Sequence, residues 1–370
     1  MSNARKLADN LPTEGQLSGR NVIINGEFAI SQRGTSFTNI GSGGGGTSGY
    51  DDTWTMDRFL ISQGLSAGRC SVEQSSDTPD GFSKSLKIST TTADTSIGAS
   101  EYHRLQTKFE GQNLQRFAKG TTGAKEFTLS FYCKANAAAT YVVELYDLDN
   151  QRTVAKTFSV TTDWTRVILT FPADTTGAFD NDNLQSMQLN WWMHTGSTYG
   201  GGTLQTTWGG IVQANRAAGI DSIFDSTSRT FFITGVQLEV GPQASPFEHR
   251  SFADELARCE RYFQTYSKRN WQGTNEHAGN YKMYVDGVFR QKMRAAPSAT
   301  FVGTVTIARP QVGVTQRPDS IGGLSTEGFQ DCGWPSSGTY GGSLGTHGDA
   351  YYRMAVGDGP TNRIDFDAEL

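Results

Sequence analysis

Alternation of apolar and polar residues is the dominant pattern in the middle of the chain. The clearest example runs from Phe127 to Lys134, where every second residue is apolar. Successive side chains of a β-strand point to opposite faces of a sheet. This period of two therefore predicts a strand with one face in a core and the other facing solvent or a partner. The predicted core face consists of Phe127, Leu129, Phe131 and Cys133.

The same period recurs in segments that are separated by turn-forming residues. The predicted core-facing sets are Thr165, Val167, Leu169 and Phe171, then Leu189, Trp191 and Met193, and then Phe232, Val236, Leu238 and Val240. The connections between them are rich in Asp, Asn and Gly, which favour tight antiparallel turns over the helical crossovers of a parallel sheet. Residues 21–250 are therefore predicted to form an all-β jelly-roll sandwich.

The period lengthens after Pro246. Ser251 and Asp254 have the spacing of a helix-capping box. Apolar residues at helical spacing follow, namely Phe252, Leu256, Cys259, Phe263 and Tyr266. The pattern predicts an amphipathic connector helix over 251–268, packed on a sandwich or against copies of itself.

Strand patterns return in the last hundred residues. Apolar alternation marks the segments 282–285, 298–302, 351–356 and 363–370. These segments predict a second, smaller C-terminal β domain over 269–370.

The first twenty residues are polar and short of apolar surface. Leu7 and Leu11 lie on one side of a short helix that Pro12 would end. A helix of this length is unstable alone in water. We expect residues 1–20 either to fray or to order as a docking segment on a larger assembly.

Composition supports the β prediction and narrows the class of partners. The 370 residues include 43 glycines, roughly 12% against about 7% in average proteins, and glycine suits turns better than helices. The formal net charge is −5, without a dense run of Lys or Arg, so we expect neither nucleic-acid binding nor membrane insertion. The chain has no signal-peptide pattern at its start, which favours synthesis in the cytoplasm.

Motifs for catalysis or for a resident cofactor do not occur in the sequence. It has no nucleophile elbow, no helical metal-binding His pair and no nucleotide-binding glycine fingerprint. We therefore predict that the protein is not an enzyme, although two carboxylates that meet across the fold would leave no trace in the sequence. The four widely spaced cysteines predict free thiols. Asp147 and Asp149 are candidate ligands of a structural calcium ion, or turn acids that bond nearby amides.

Aromatic residues beside amide side chains are candidates for glycan binding. Sugar rings stack on aromatic faces, while their hydroxyl groups need polar partners. Trp191 and Trp192 are adjacent, so in a strand one faces the core and the other the opposite side. We predict that Trp192 is exposed, with Asn190 and His194 beside it on the same face. The alternative is that these rings pack in a core.

Two tracts, 41–49 and 196–210, are unusually rich in glycine. Neither carries the lysine that a phosphate-binding loop requires, so both are predicted to be mobile surface loops. The second tract contains Tyr199 and Trp208, which are further candidates for glycan binding.

Several segments between residues 21 and 263 are familiar in combination. They are 21–37 with its Asn-Gly-Glu-Phe run, 56–59, 105–114, 127–135, 163–166, 233–241 and 246–263. The first two resemble the opening of jelly-roll domains in bacteriophage tail-fibre and other virion proteins. The next three resemble the core of carbohydrate-binding-module jelly rolls. The last two resemble the end of that domain in phage proteins, and the most specific likeness lies there.

The resemblance implies a bacteriophage virion structural protein, typically a homotrimer, that presents a binding domain to host glycan. We accordingly expect a tail-fibre or receptor-binding protein on the exterior of the tail or capsid, attached to other tail proteins through residues 1–20 and binding host surface polysaccharide. One alternative is a capsid decoration or tail adaptor protein without host contact. Another is a glycan hydrolase, a depolymerase, that carries a binding module. The aromatic binding residues of this family vary, so the resemblance assigns no sugar site.

Overall fold

The computed structural model describes residues 19–41, 50–267, 270–275, 283–285, 289–303, 305–308, 315–316, 352–356 and 363–370. Most of the predicted docking segment 1–20 and of the glycine-rich tract 41–49 lies outside the described residues. The chain divides into two compact units, Met1–Phe252 with Leu370, and Ala253–Glu369.

The first unit is a β-sandwich. In chain order its described strands are β1 (Ser36–Ile40), β2 (Tyr50–Trp54), β3 (Leu60–Gly64), β4 (Arg69–Ser75), β5 (Ser85–Thr92), β6 (Tyr102–Glu110), β7 (Phe127–Ala135), β8 (Ala139–Asp147), β9 (Arg152–Val160), β10 (Thr165–Phe171), β11 (Gln185–Thr195), β12 (Gly209–Gly210) and β13 (Thr230–Val240). They form a six-stranded sheet in the order β1-β4-β5-β13-β7-β10 and a seven-stranded sheet in the order β12-β9-β8-β11-β6-β3-β2. All recorded pairs in both sheets are antiparallel. The predicted all-β jelly-roll sandwich is confirmed.

The core lies between the inner faces of the two sheets. The predicted core face of β7 is confirmed, because the side chains of Phe127, Leu129, Phe131 and Cys133 are fully buried. They belong to one apolar cluster with Leu189 and Trp191 of the opposite sheet. The ring centroids of Phe131 and Trp191 are 5.9 Å apart in an edge-to-face arrangement, which is favourable for aromatic pairs.

Strand β13 departs from the predicted alternation at a β-bulge. Gly235 has a φ of 62°, a left-handed conformation that favours glycine, and the pairing with β7 shifts register there. Leu238 faces the core as predicted. Phe232 instead pairs with Lys134 on the outer face, and Ile233 takes the buried position. The prediction for Phe232 is wrong because the bulge adds a residue between the two halves of the strand.

The glycine-rich tract 196–210 is folded against the sandwich. It contains the short helix α1 (Ser197–Gly200), and its end supplies β12, which pairs with β9. Gly196 lies so close to the neighbouring loop that a Cβ atom there would be 1.9 Å from the Gly98 carbonyl oxygen. The tract lies at the surface as predicted, although glycine at 196 serves close backbone packing, and its mobility stays a prediction.

Helix α2 (Phe252–Glu260) is shorter than the connector helix predicted over 251–268. The helix ends in a turn in which the Tyr262 amide donates to the Cys259 carbonyl, and residues from Phe263 onward form a strand. Phe252 is 63% exposed, whereas Cys259 is fully buried. The apolar spacing that predicted one helix therefore spans two elements. Phe252, Leu256 and Cys259 lie in the helix, whereas Phe263 and Tyr266 lie in the strand that follows.

The second unit is also mainly β-structure. Its described strands are β14 (Phe263–Ser267), β15 (Asn270–Asn275), β16 (Met283–Val285), β17 (Ser298–Val302), β18 (Val305–Ala308), β19 (Thr315–Gln316), β20 (Tyr352–Val356) and β21 (Arg363–Asp367). They form a sheet in the order β14-β21-β17 and another in the order β16-β15-β20-β18-β19. The predicted strand segments appear as β16, β17, β20 and β21. Ile364 and Phe366 are buried as the alternation requires.

No helix in the described ranges is both long and apolar enough to cross a lipid bilayer.

Candidate functional site

The outer face of the seven-stranded sheet carries polar and aromatic side chains in register. Residues that are directly paired in antiparallel strands share a face. We call this surface the polar face. Its residues are Tyr50, Asp52, Trp54, Ser62, Tyr102, Arg104, Gln106, Glu144, Tyr146, Gln188, Asn190 and Trp192. None of them belongs to the apolar cluster between the sheets.

Glu144 is the centre of the hydrogen-bond network on the polar face. Its carboxylate accepts bonds from Arg216 Nε (2.6 Å) and Arg216 Nη2 (2.9 Å), which form a bidentate ion pair. Asn190 Nδ2 (2.9 Å), Trp192 Nε1 (2.8 Å) and Thr153 Oγ1 (2.8 Å) also donate to it. Burial alone would raise the pKa of Glu144, but the charge and hydrogen bonds of Arg216 hold it below its usual range.

Trp192 lies under a loop. Its side chain has no exposed surface and packs in a small apolar cluster with Tyr102, Val142 and Ala217. The covering residues come from the segment 196–222, which folds back over this end of the sheet. The prediction that Trp192 is exposed is wrong, because alternation separates the two faces of a strand but does not show whether another segment covers one of them.

Asn190 and His194 have different positions relative to Trp192. Asn190 is on the polar face, fully buried, and also accepts a 2.6 Å hydrogen bond from Gln106. A register shift between Trp192 and His194 turns His194 to the opposite side of β11. There its ring lies 5.2 Å from that of Phe224, a member of the sandwich core. The predicted placement of His194 beside Trp192 is wrong because of this bulge.

Tyr199 and Trp208 are also separated. The half-buried ring of Tyr199 is 5.5 Å from the rings of Tyr102 and Trp192, so it borders the polar face. Trp208 instead donates from Nε1 to the Pro172 carbonyl at 2.8 Å and packs against Phe127 of the core. The structure therefore groups Trp192, Asn190 and Tyr199, and places His194 and Trp208 elsewhere.

Arg104 is a residue of the polar face that the sequence analysis missed. Its guanidinium carbon lies 5.1 Å from the ring centre of Tyr102 and 5.0 Å from that of Trp192, within cation–π range. The half-buried side chain forms no hydrogen bond with any residue that the structure describes. Burial, together with the charge of Arg216, lowers its pKa. The sequence signal that could have identified Arg104 is its position in β6, where Tyr102, Arg104 and Gln106 alternate and so share one face.

The β2 edge of the polar face is aromatic and partly open. Tyr50 is 52% exposed, and its ring is 6.1 Å from that of Tyr102. Trp54 is half-buried, with Lys108 Nζ at 5.5 Å and the Arg33 guanidinium at 5.6 Å from its ring centre. These rings lie on the same outer face as the buried polar network, and an apolar plane with hydrogen-bonding groups is the combination that a sugar requires.

The two predicted calcium ligands do not converge. Asp147 is fully buried and forms an ion pair with Lys119, whose ammonium group also donates to the Gly177 carbonyl at 2.7 Å. Asp149 accepts a 2.9 Å bond from the Asp180 amide. The turn-acid alternative describes Asp147, which accepts a 3.1 Å bond from the Asn150 amide, and Lys119 provides there the positive charge that a calcium ion would supply.

A different set of potential metal ligands occurs at one end of the sandwich. Asp94, Glu101 and His194 each place one potential ligand atom within 4.8 Å of the other two. In the part of the chain that the structure describes, no other set of three His, Cys, Asp or Glu side chains comes together in this way. Burial lowers the pKa of His194 to about 4, so its ring is neutral at neutral pH. Burial, and to a smaller extent the charge of Asp94, raises the pKa of Glu101.

Comparison with known proteins gives structural similarity at low sequence identity. No protein-family model matches the chain, and a search of curated proteins found no match. A CBM4 structure is 13% identical, with 58% of this chain and 97% of that chain covered and a TM-score of 0.29. A family 11 carbohydrate-binding module from Clostridium thermocellum is 9% identical, with 59% and 99% covered and a TM-score of 0.27.

A phage structure is similar to the same degree. The enzymatically active domain of tailspike protein 4 from bacteriophage CBA120 is 14% identical, with 50% of this chain and 19% of that chain covered and a TM-score of 0.29. The likeness to all three structures concerns the β-sandwich fold and assigns no residue a role.

Proposed function

We propose that the protein binds host surface polysaccharide through the polar face, as a non-enzymatic virion component of a bacteriophage. The observation that carries the binding proposal is Arg104. The guanidinium is half-buried, lies about 5 Å from the ring centres of Tyr102 and Trp192, and has no hydrogen bond to a described residue, so its donors are left unsatisfied within the described part of the chain. Hydroxyl or carboxylate oxygens of a glycan would satisfy these donors.

The neighbourhood of Arg104 supports a saccharide ligand. Tyr50 and Trp54 offer ring surface at the open edge, where the C–H face of a sugar would stack. Gln188, which is half-buried, accepts a 3.0 Å bond from Gln106 and retains its own amide donors. The Glu144 network fixes neighbouring side chains of the polar face, and a rigid binding surface reduces the entropy that is lost on binding.

The virion role is proposed from the likeness of segments 21–37 and 233–263 to phage structural proteins. Within that role we favour a tail-fibre or receptor-binding protein, assembled as a homotrimer on the exterior of the virion, because the polar face gives it a surface for host contact. A capsid decoration or tail adaptor protein would have no use for such a face.

The test is a binding measurement with purified polysaccharide from the surface of the host bacterium. We expect Arg104→Gln to weaken binding by roughly tenfold or more, since a hydrogen bond to a charged group contributes about 1.5–3 kcal/mol. The matched control is Arg166→Gln. Arg166 also lies over a tyrosine, with its guanidinium carbon 6.0 Å from the ring centre of Tyr132, but it belongs to the six-stranded sheet.

Equal binding by wild type and Arg104→Gln would contradict the proposed site. Release of reducing ends from the polysaccharide would contradict the non-enzymatic role and favour the depolymerase alternative. Labelling of intact virions with gold-conjugated antibody would show whether the protein is at the tail, on the capsid or absent.

A further inference from the structure

We propose that Asp94, Glu101 and His194 form a binding site for a zinc-class divalent metal ion. The three residues come from separate parts of the first unit. Asp94 follows β5 of the six-stranded sheet, whereas Glu101 precedes β6 and His194 lies near the end of β11 in the seven-stranded sheet. Their ligand atoms nevertheless lie within 4.8 Å of one another.

The spacing between His194 and Glu101 suits a shared metal better than a direct bond. His194 Nε2 is 3.4 Å from Glu101 Oε2. A charge-assisted N–H···O bond is normally about 2.7–2.9 Å long. Two ligand atoms that are each about 2.0–2.2 Å from a tetrahedral zinc ion are about 3.4 Å apart. The observed distance matches the second arrangement.

Neighbouring groups hold two of the proposed ligands in place. His194 Nδ1 lies 2.7 Å from Ser222 Oγ, so this nitrogen can donate to the hydroxyl oxygen and leave the Nε2 lone pair for a metal. Asp94 Oδ2 accepts bonds from Ser66 Oγ (2.7 Å) and the Ala67 amide (2.8 Å). Its other oxygen, Oδ1, accepts a long 3.3 Å bond from the Ser96 amide. Hydrogen bonds of this kind orient ligands in zinc sites.

The charge and chemistry of the group favour zinc over calcium. Two carboxylates balance a dication, and no Lys or Arg in the described ranges forms an ion pair with Asp94 or Glu101. An imidazole nitrogen with two carboxylate oxygens is a donor set that zinc accepts, whereas calcium takes six to eight oxygen ligands. No local sequence motif marks this site, because Glu101 and His194 are 93 positions apart along the chain.

A bound ion would connect Asp94, next to the six-stranded sheet, with Glu101 and His194 of the seven-stranded sheet. This connection would lie at the end of the sandwich where segment 196–222 begins. Gly196 is two residues from His194, and its amide donates to the Glu101 carbonyl at 2.9 Å. Metal binding would therefore stabilise the attachment of the segment that covers Trp192. This effect is independent of glycan binding.

The experiment uses the full-length protein after treatment with a chelator, titrated with zinc chloride and in parallel with calcium chloride. Bound metal is measured by mass spectrometry and thermal stability by calorimetry. We expect wild type to retain one equivalent more zinc than Glu101→Gln. At a free zinc concentration 100 times Kd, the Tm of wild type should rise by about 5 °C or more.

Two variants and one control complete the test. Glu101→Gln and His194→Gln should each weaken zinc binding by roughly tenfold or more. The His194 side chain is fully buried, whereas that of Glu101 is 13% exposed. The Glu101→Gln variant therefore still tests the site if His194→Gln does not fold. His249→Gln is the control, because His249 pairs with Glu27 at 3.2 Å and no third potential ligand among the described residues lies beside them.

Zinc uptake by Glu101→Gln equal to that of wild type would overturn the proposal. A Tm increase with calcium in place of zinc would also overturn it. Loss of zinc from Glu101→Gln but not from His249→Gln would support it.

Discussion

The two outer faces of the sandwich contain the same kinds of residue but in different surroundings. On the six-stranded sheet, Trp164 donates from Nε1 to Asp77 at 3.1 Å, and Lys134 pairs with the same carboxylate. The side chains of Lys134 and Asp77 are 20% and 46% exposed. On the seven-stranded sheet, Trp192 and Arg216 make the equivalent bonds to Glu144, and that carboxylate is fully buried.

The difference comes from the segment 196–222. It lies over one end of the polar face, whereas the Asp77 group remains partly open to water. An ion pair in water contributes about 0–1 kcal/mol, but removing one partner of a buried pair destabilises a protein by about 3–5 kcal/mol. Matched substitutions on the two faces should therefore have unequal effects.

The largest expected effect is that of Trp192→Ala. Loss of a fully buried tryptophan should lower the free energy of unfolding by about 3–5 kcal/mol. The matched substitution Trp164→Ala removes a half-buried ring and should have a clearly smaller effect. Urea denaturation of both variants measures the difference. Equal losses would show that segment 196–222 does not shield Trp192 from solvent.

The next effect concerns the buried ion pair. Arg216→Met should lower the free energy of unfolding by about 3–5 kcal/mol, because it leaves the Glu144 carboxylate buried without its cation. Asp77→Asn, at the exposed pair, should change stability by less than about 1 kcal/mol.

The double variant Glu144→Gln with Arg216→Met checks this cause. It should recover part of the loss, since it no longer buries an unpaired charge. If the losses of the two single variants simply add in the double variant, the explanation is contradicted.

The smallest effect is a difference in pH dependence. The pKa of Glu144 is below its usual range in the folded protein, so its ion pair stabilises the fold above the unfolded pKa of about 4.3. That contribution is lost as the pH falls through the folded pKa. We expect stability to fall more steeply below pH about 4.3 in wild type than in Glu144→Gln.

Asp77→Asn is the control for this comparison. The hydrogen bond from Lys134 also lowers the pKa of Asp77, but the group is largely solvated, so removing it should change the pH profile less. Denaturant midpoints measured from neutral to acidic pH give both profiles. Identical acid slopes for wild type and Glu144→Gln would contradict the role of the pair.

Local patterns of the sequence predicted most of the strands. The alternation of β7 and the apolar positions of β21 are recovered as buried faces, because a strand with one side in a core needs a period of two. The errors occur at bulges. The extra residue at Gly235 in β13, and the register shift after Trp192 in β11, reverse the faces of Phe232 and His194. An alternation count assumes a regular strand and does not detect such an insertion.

The candidate site was predicted less completely. The sequence selected Trp192, Asn190 and Tyr199, which the structure brings together, but missed Arg104 and Glu144. Both are charged residues at alternating positions of ordinary strands, and their importance comes from neighbours on other strands. Arg216, for example, is 72 residues from Glu144.

The sequence by itself determined the all-β class, the existence of most strands and the separation of core and outer faces, because these depend on the local period of apolar residues. The tertiary structure decided which outer face is covered, which buried charges are paired, and that Asp94, Glu101 and His194 meet. These features depend on contacts between distant segments, and the order of residues along the chain does not fix such contacts without the fold.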